Sequence, residues 1–300
     1  VLQATIRSYD HAADFDAVRR FLVESYEPGS TLTNWVEPRW QYMHYHPFIE
    51  GLPLDLIGVV EEDGEMVGLV TFEHSPAFAN FQTRPGHDHV KEAMFDYGVE
   101  RFGGWSRNLE REVLGVFLNE FDTTLIELAK SHGFTRMPEW DEPHSRFLLD
   151  RPVEVPPLPD GFRLQSLEDE NDLRKINAVL WRGFDHEGPP PDEEIPGREH
   201  MQRAPGFRRD LTIVVVTPEG DYASFAGMWI VPENRIAYVE PVATDPEYRR
   251  MGLGATAVLE TLRRVADLGA EVAWVGSDQD FYHAIGFTTE FRNELWLRDR

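Results

Sequence analysis

The stretch Tyr238-Val-Glu-Pro-Val-Ala-Thr-Asp-Pro-Glu-Tyr-Arg-Arg-Met-Gly-Leu-Gly-Ala255 decides the reading of this chain. It opens as a buried strand, breaks at Asp245-Pro246, and enters a helix through two glycines preceded by two arginines. Gly252 and Gly254 let the backbone approach a ligand closely. A helix from about Gly252 to Leu268 offers unpaired N–H groups and the positive end of its dipole, and Arg249 and Arg250 add charge. Together these are the parts of a pyrophosphate site.

Two other readings compete. A dinucleotide-binding fold requires Gly-x-Gly-x-x-Gly and an acid at the end of the next strand, about 20 residues on. Ala257 is a tolerable third position, but the next strand, Val272 to Val275, ends in Gly276-Ser277, with Asp278 late and no βαβ unit ahead of it. A purely structural strand-to-helix turn leaves the paired arginines without a reason.

Downstream, Phe281-Tyr-His-Ala-Ile-Gly-Phe287 sets a phenol four residues before a Gly-Phe pair. The ordered set Arg-x-x-Gly-x-Gly, strand, Tyr-x-x-x-Gly-Phe resembles the GNAT superfamily of acyl-CoA-dependent N-acyltransferases. That resemblance implies acetyl-CoA as acyl donor, bound without a metal. It also implies a strand whose backbone pairs with pantetheine by β-augmentation, here through the amide and carbonyl of Val242 and the amide of Thr244. Pro241 has no N–H to give. The pyrophosphate would rest on amides of Met251, Gly252, Leu253, Gly254 and Ala255 beside Arg249 and Arg250, and Ser277 would touch the pantetheine arm.

The implied chemistry asks an amine to lose a proton, attack a thioester carbonyl and expel a thiolate. Tyr282 matches the family's general acid, because a phenol with a pKa near 10 still holds its proton at neutral pH. Glu240 is the candidate base or ammonium-binding group. Strict alternation gives it the same side-chain parity as Val242 and Thr244, and a structural salt bridge is its other reading. His186, in the segment Asp185 to Arg198, is the second candidate base, while His283 is expected to point away. The functional reading is acetyl transfer to a primary amine of a small molecule. A CoA-binding sensor could have lost Tyr282 and Glu240. An enzyme for protein or peptide amines would need an open groove, which the acidic loop Gly188-Pro-Pro-Pro-Asp-Glu-Glu-Ile-Pro196 opposes.

Composition narrows the classes further. The 300 residues are 41% hydrophobic and 12% aromatic, enough for two domains with their own cores. No apolar run could span a bilayer and no basic start leads into an apolar stretch, so a cytoplasmic protein is expected. The absence of cysteine removes disulfides, thiolate metal sites and a cysteine nucleophile. A formal charge of −24 argues against nucleic acid and anionic membrane as partners and favours a small cationic amine as substrate. Nothing in the sequence fixes the oligomeric state.

The chain also repeats itself. A strand and an amphipathic helix open each half: Ala4 to Tyr9 then Phe15 to Glu24, and Phe162 to Leu167 then Asp172 to Phe184. Each half continues with a hairpin closed by an acidic-glycine turn, Leu56 to Phe72 and Thr212 to Gly227. Each ends on Gly-Phe and a strand: His132-Gly-Phe134 with Ser145 to Leu149, and Ile285-Gly-Phe287 with Asn293 to Leu297. The expected fold class is α/β (α+β), two tandem GNAT-like domains, each a mixed, mostly antiparallel sheet flanked by helices. The proline-rich run Arg151 to Gly161 is the expected linker. It gives a degenerate domain over 1–151 and an acetyl-CoA-binding domain over 152–300. In the first half, Asn80 to Met94 keeps an Arg-Pro-Gly turn without paired glycines, so no CoA is expected there. The helix ahead of it carries Trp35, Trp40, Tyr42, Met43, His44, Tyr45 and His46, expected in packing. His44 and His46 lie on different faces, which argues against a metal pair.

Overall fold

A computed structural model describes residues 4–29 and 35–300. In chain order the elements are β1 (Thr5–Ser8), α1 (His11–Ser25), α2 (Glu37–Tyr45), β2 (Gly58–Glu62), β3 (Glu65–Thr71), β4 (Phe78–Thr83), α3 (Lys91–Arg101), β5 (Gly104–Ser106), β6 (Arg111–Asn119), α4 (Thr123–Ser131), β7 (Thr135–Arg136) and β8 (Glu142–Leu148). There follow β9 (Arg163–Ser166), α5 (Leu173–Gly183), α6 (Ile195–Met201), β10 (Ile213–Val216), β11 (Tyr222–Val231), β12 (Ile236–Thr244), α7 (Leu253–Asp267), β13 (Val272–Val275), α8 (Asp280–Ala284) and β14 (Thr288–Asp299). Helix α6 begins within the segment Asp185 to Arg198, which the sequence suggested as a covering loop, and runs on to Met201. Its start is an acidic turn followed by Pro196, which suits a first helical turn.

The chain divides into two compact units, Val1–Met43 with Phe48–His144 and Glu290–Arg300, and His44–Pro47 with Ser145–Thr289. Within the first, strands run in the order β1-β2-β3-β4-β6-β14, and within the second β8-β13-β12-β11-β10-β9. Both runs of strands are antiparallel except at one place each, where β4 runs parallel to β6 and β12 parallel to β13. The mixed, mostly antiparallel architecture therefore occurs twice, as the repeat implied.

The units differ from contiguous halves cut at 151/152 in three places, the short His44–Pro47 segment and two strands. Residues Ser145 to Leu148 pair with β13, and Asn293 to Asp299 pair with β6. Each copy thus takes its last strand from the other copy's stretch of sequence. Local patterning marks those segments as strands but carries no information about which edge accepts them.

In the second unit the helix faces explain the layers. Leu253, Ala257, Val258, Leu262 and Val265 fall on one stripe of α7 and bury against Ala226, Met228, Ala237 and Val239 of β11 and β12. On the opposite face Ile176, Val179 and Leu180 of α5 meet Val214, Val216, Phe225 and Ala243. Asp172 starts α5 by accepting from the amides of Arg174 and Lys175 at 2.9 and 3.1 Å. In the first unit Trp35, Trp40 and Met43 are fully buried in the core, so these members of the aromatic set pack rather than line a surface. Among the described residues no helix is long and apolar enough to cross a membrane.

Candidate active site

Strands β12 and β13 pair only from Ile236 to Tyr238. Beyond that point β12 keeps β11 on one edge and loses β13 on the other. Ala243 and Asp245 point their peptide groups toward β11, since Ser224 Oγ donates to Ala243 O at 3.1 Å and the Asp245 amide to Ala223 O at 3.0 Å. Backbone groups alternate along a strand, so the Val242 amide and carbonyl and the Thr244 amide face the open edge. These are the groups singled out from the sequence.

Helix α7 begins at that edge. Gly252 is its N-cap with φ 80°, and the first internal helical bond runs from the Thr256 amide to Gly252 O. The amides of residues 250–255 donate to no described residue. They include all five expected from Met251, Gly252, Leu253, Gly254 and Ala255. The helix is pressed close: a methyl group on Gly254 would lie 2.8 Å from Thr244 Oγ1, which itself pairs with Ser224 Oγ at 3.0 Å. A row of unpaired donors at the positive end of a 15-residue helix has the chemistry that suits an anion.

The two arginines have different surroundings. Arg249 donates to Thr244 O at 3.1 Å, to Gly183 O at 2.9 Å and to Asp185 Oδ1 at 2.9 Å. Arg250 is exposed, takes the left-handed conformation with φ 64°, and makes no hydrogen bond or ion pair with a described residue. A non-glycine residue held there stores backbone strain of about 1 kcal/mol or more, as residues at ligand-binding turns often do.

Tyr282 sits on α8, buried between the rings of Phe281 and Phe287 at 4.9 and 5.5 Å in edge-on geometry. Its hydroxyl bonds no described residue. Burial pushes the phenol up to about 12, and the charge of Glu240 adds to the rise. The two candidate groups are therefore within electrostatic reach of each other.

Glu240 reaches that position by a route different from simple alternation. Val239 stands opposite Met228 and Val242 opposite Ala226, with a bulge between, so Glu240 and Pro241 together face the single Gly227. Val239 and Val242 consequently share a face, and the parity that grouped Glu240 with Val242 and Thr244 is corrected. The Glu240–Pro241 peptide is cis. A methyl on Gly227 would lie 2.4 Å from Glu240 O, so glycine is required opposite the bulge. Glycine and proline inside one strand pair were the sequence signal for it.

Ser277 accepts from the Gln279 amide at 3.3 Å and so shapes the turn into α8. His186 is exposed and stacks on Trp181 with ring centroids 4.4 Å apart. His283 is exposed and bonds Thr289 Oγ1 at 3.1 Å. Residues the sequence did not single out also build the site. Asp245, almost fully buried, accepts from Arg182 at 2.9 Å and from the Glu247 amide at 3.1 Å, closing the turn before Arg249. An Asp-Pro pair after a strand was its only local sign.

In the first unit the matching turn before α3 bonds several of its own backbone groups. The amides of His87, Val90 and Lys91 donate to Arg84, His87 and Asp88 carbonyls. Lys91, buried, pairs with Asp88 at 2.8 Å and Asp122 at 2.7 Å. Among the described residues no group of histidine and acidic side chains could hold a metal ion.

Comparison with known proteins gives a family match for part of the chain and a fold likeness for nearly all of it. Residues 173–291 match the Acetyltransferase (GNAT) family. A mycothiol acetyltransferase of Saccharomonospora viridis is 26% identical over 147 residues, 45% of this chain and 48% of that protein, so the likeness spans about half the length of that relative. Among solved structures, a GCN5-related N-acetyltransferase from Sphaerobacter thermophilus has a TM-score of 0.64 at 16% identity, covering 99% of this chain and 96% of its own. A tandem GNAT protein from the clavulanic acid biosynthesis pathway gives the same score and identity over 99% and 98%. At such identity the structural likeness carries the fold alone. Residues 173–291 are thus a GNAT acetyltransferase domain, in a chain that shares its fold with a tandem GNAT protein.

Proposed function

We propose that the second unit moves an acetyl group from acetyl-CoA to a primary amine of a small molecule by direct attack. One observation carries the reading: the unpaired amides of residues 250–255 adjoin the open edge of β12, and a protonated phenol follows on α8. The donor set suits a diphosphate, and the free groups of Val242 and Thr244 suit the amides of a pantetheine arm. Acetyl-CoA, when bound, supplies a thioester carbonyl open to attack. Glu240 takes the proton of the incoming amine, directly or through a water. Tyr282 gives its proton to the departing thiolate. An amide of β12 donates to the carbonyl oxygen as charge grows on it.

An acceptor of positive charge fits the acidic chain, because a field of one sign raises the local concentration of the opposite ion. A panel of primary amines, amino sugars and amino acids with acetyl-CoA, followed by release of free thiol, tests the reading. Thiol release dependent on at least one amine is expected. Release indifferent to every amine, or none at all, contradicts it.

A further inference from the structure

We propose that the two neighbouring arginines divide the work: Arg250 supplies the side-chain contact to the CoA diphosphate, and Arg249 is a positioning residue that ties the phosphate turn to the end of α5. The proposal rests on the acetyl-CoA reading of the same site.

Two nitrogens of the Arg249 guanidinium are already committed. It bridges Thr244 O at the end of β12, Gly183 O at the end of α5, and Asp185 just beyond. The Gly183 carbonyl belongs to the negative end of a helix, where a cation is favoured. A second tie lies alongside, from Arg182 to the buried Asp245 at 2.9 Å. Gly183 itself rests on the strand, since a methyl there would sit 2.7 Å from Ala243 Cβ and 3.0 Å from the Thr244 nitrogen. A diphosphate drawing the Nε or Nη2 donors of Arg249 to itself would have to break a charge pair and two carbonyl bonds, which leaves Nη1 as the one uncommitted nitrogen. Arg250 has no such bonds to lose.

One consequence is a link between donor binding and the segment after α5. The amides of Phe184, Asp185 and His186 bond to Leu180, Arg182 and Trp181 carbonyls, and Asp185 holds Arg249 with a left-handed φ of 58°. Order imposed on the turn at 244–250 is passed through Arg249 to these residues, which carry His186 and its Trp181 stack.

Calorimetric titration with CoA at low and high salt, joined to amide hydrogen exchange, tests the division. Arg250→Ala should weaken CoA binding by about tenfold or more at low salt and flatten its salt dependence. Arg249→Met should keep the salt dependence of the unmodified protein. In that variant CoA still slows exchange at 250–255 but no longer at 184–186. Asp185→Asn removes the same ion pair without touching either arginine. A phosphate ligand freed in this way would bind CoA more tightly, whereas a tie gives no gain. Tighter binding in Asp185→Asn, or a flattened salt dependence in Arg249→Met with none in Arg250→Ala, overturns the proposal. Failure of the unmodified protein to bind CoA would instead overturn the acetyl-CoA reading on which it rests.

Discussion

Tyr282→Phe is expected to lower turnover by about 10²-fold or more while leaving CoA affinity and the fold in place, since a positioned acid contributes roughly 10²- to 10⁴-fold. The ring stays buried against Phe281 and Phe287, so the substitution removes only the hydroxyl. The pH dependence follows from the direction of the phenol's shift. Burial first, and the Glu240 charge second, raise it to about 12, so it remains protonated through the range in which amines become free bases. The rate should therefore climb with the free-amine fraction, with no fall from loss of the Tyr282 proton until pH approaches that value. Glu240→Gln should steepen this climb, because the amine must then shed its proton to solvent. Steady-state kinetics across pH checks both. Full turnover in Tyr282→Phe would remove the phenol from the chemistry.

The largest effect on stability is expected in the first unit, at a cluster unconnected with acetyl transfer. Arg39, buried, donates to both oxygens of Glu142 at 3.0 and 2.6 Å and to Glu73 at 2.7 Å, and lies 4.3 Å from the Trp35 ring. The Asn293 amide donates to Glu142 at 3.2 Å and to His144 at 2.9 Å. Gln at position 142 leaves the buried Arg39 with Glu73 as its remaining charged partner, so Glu142→Gln should destabilise by about 1.5 to 3 kcal/mol at neutral pH. Burial alone would raise the Glu142 carboxyl. The charge of Arg39, with His144 and the hydrogen bonds, outweighs burial and holds it well below the ordinary range. A lowered folded-state pKa gives stability that is complete above the unfolded value of about 4.5 and is lost as pH falls below it. The gap between the unmodified protein and Glu142→Gln in urea midpoint should narrow on acidification. Equal midpoints at neutral pH would show that the pair contributes nothing.

Much of the architecture was legible because it rests on local signals. The acidic-glycine turns fixed both hairpins, paired glycines fixed the start of α7, and the short run Val272–Val275 matched its strand. The unpaired amides of residues 250–255 followed from the same local chemistry, since such amides are a property of a helix start. What stayed hidden depends on partners far along the chain. Glu240 turns because Gly227 on the neighbouring strand opens a bulge, and strict alternation could not register that. Arg249 shows only its charge in the sequence, and its bonds to Gly183 and Asp185, more than 60 residues earlier, belong to no local pattern. In the Arg39 cluster a single hydrogen bond joins Glu142 and Asn293 across 151 positions of sequence, and its strand β14 crosses from one repeat to the other.

The central claim is that the amides at the start of α7, and no counterpart before α3, take the diphosphate of acetyl-CoA. Calorimetric titration with CoA tests it most directly. One site per chain, weakened as salt rises, is the expected result; two equivalent sites, or no binding at all, would contradict it.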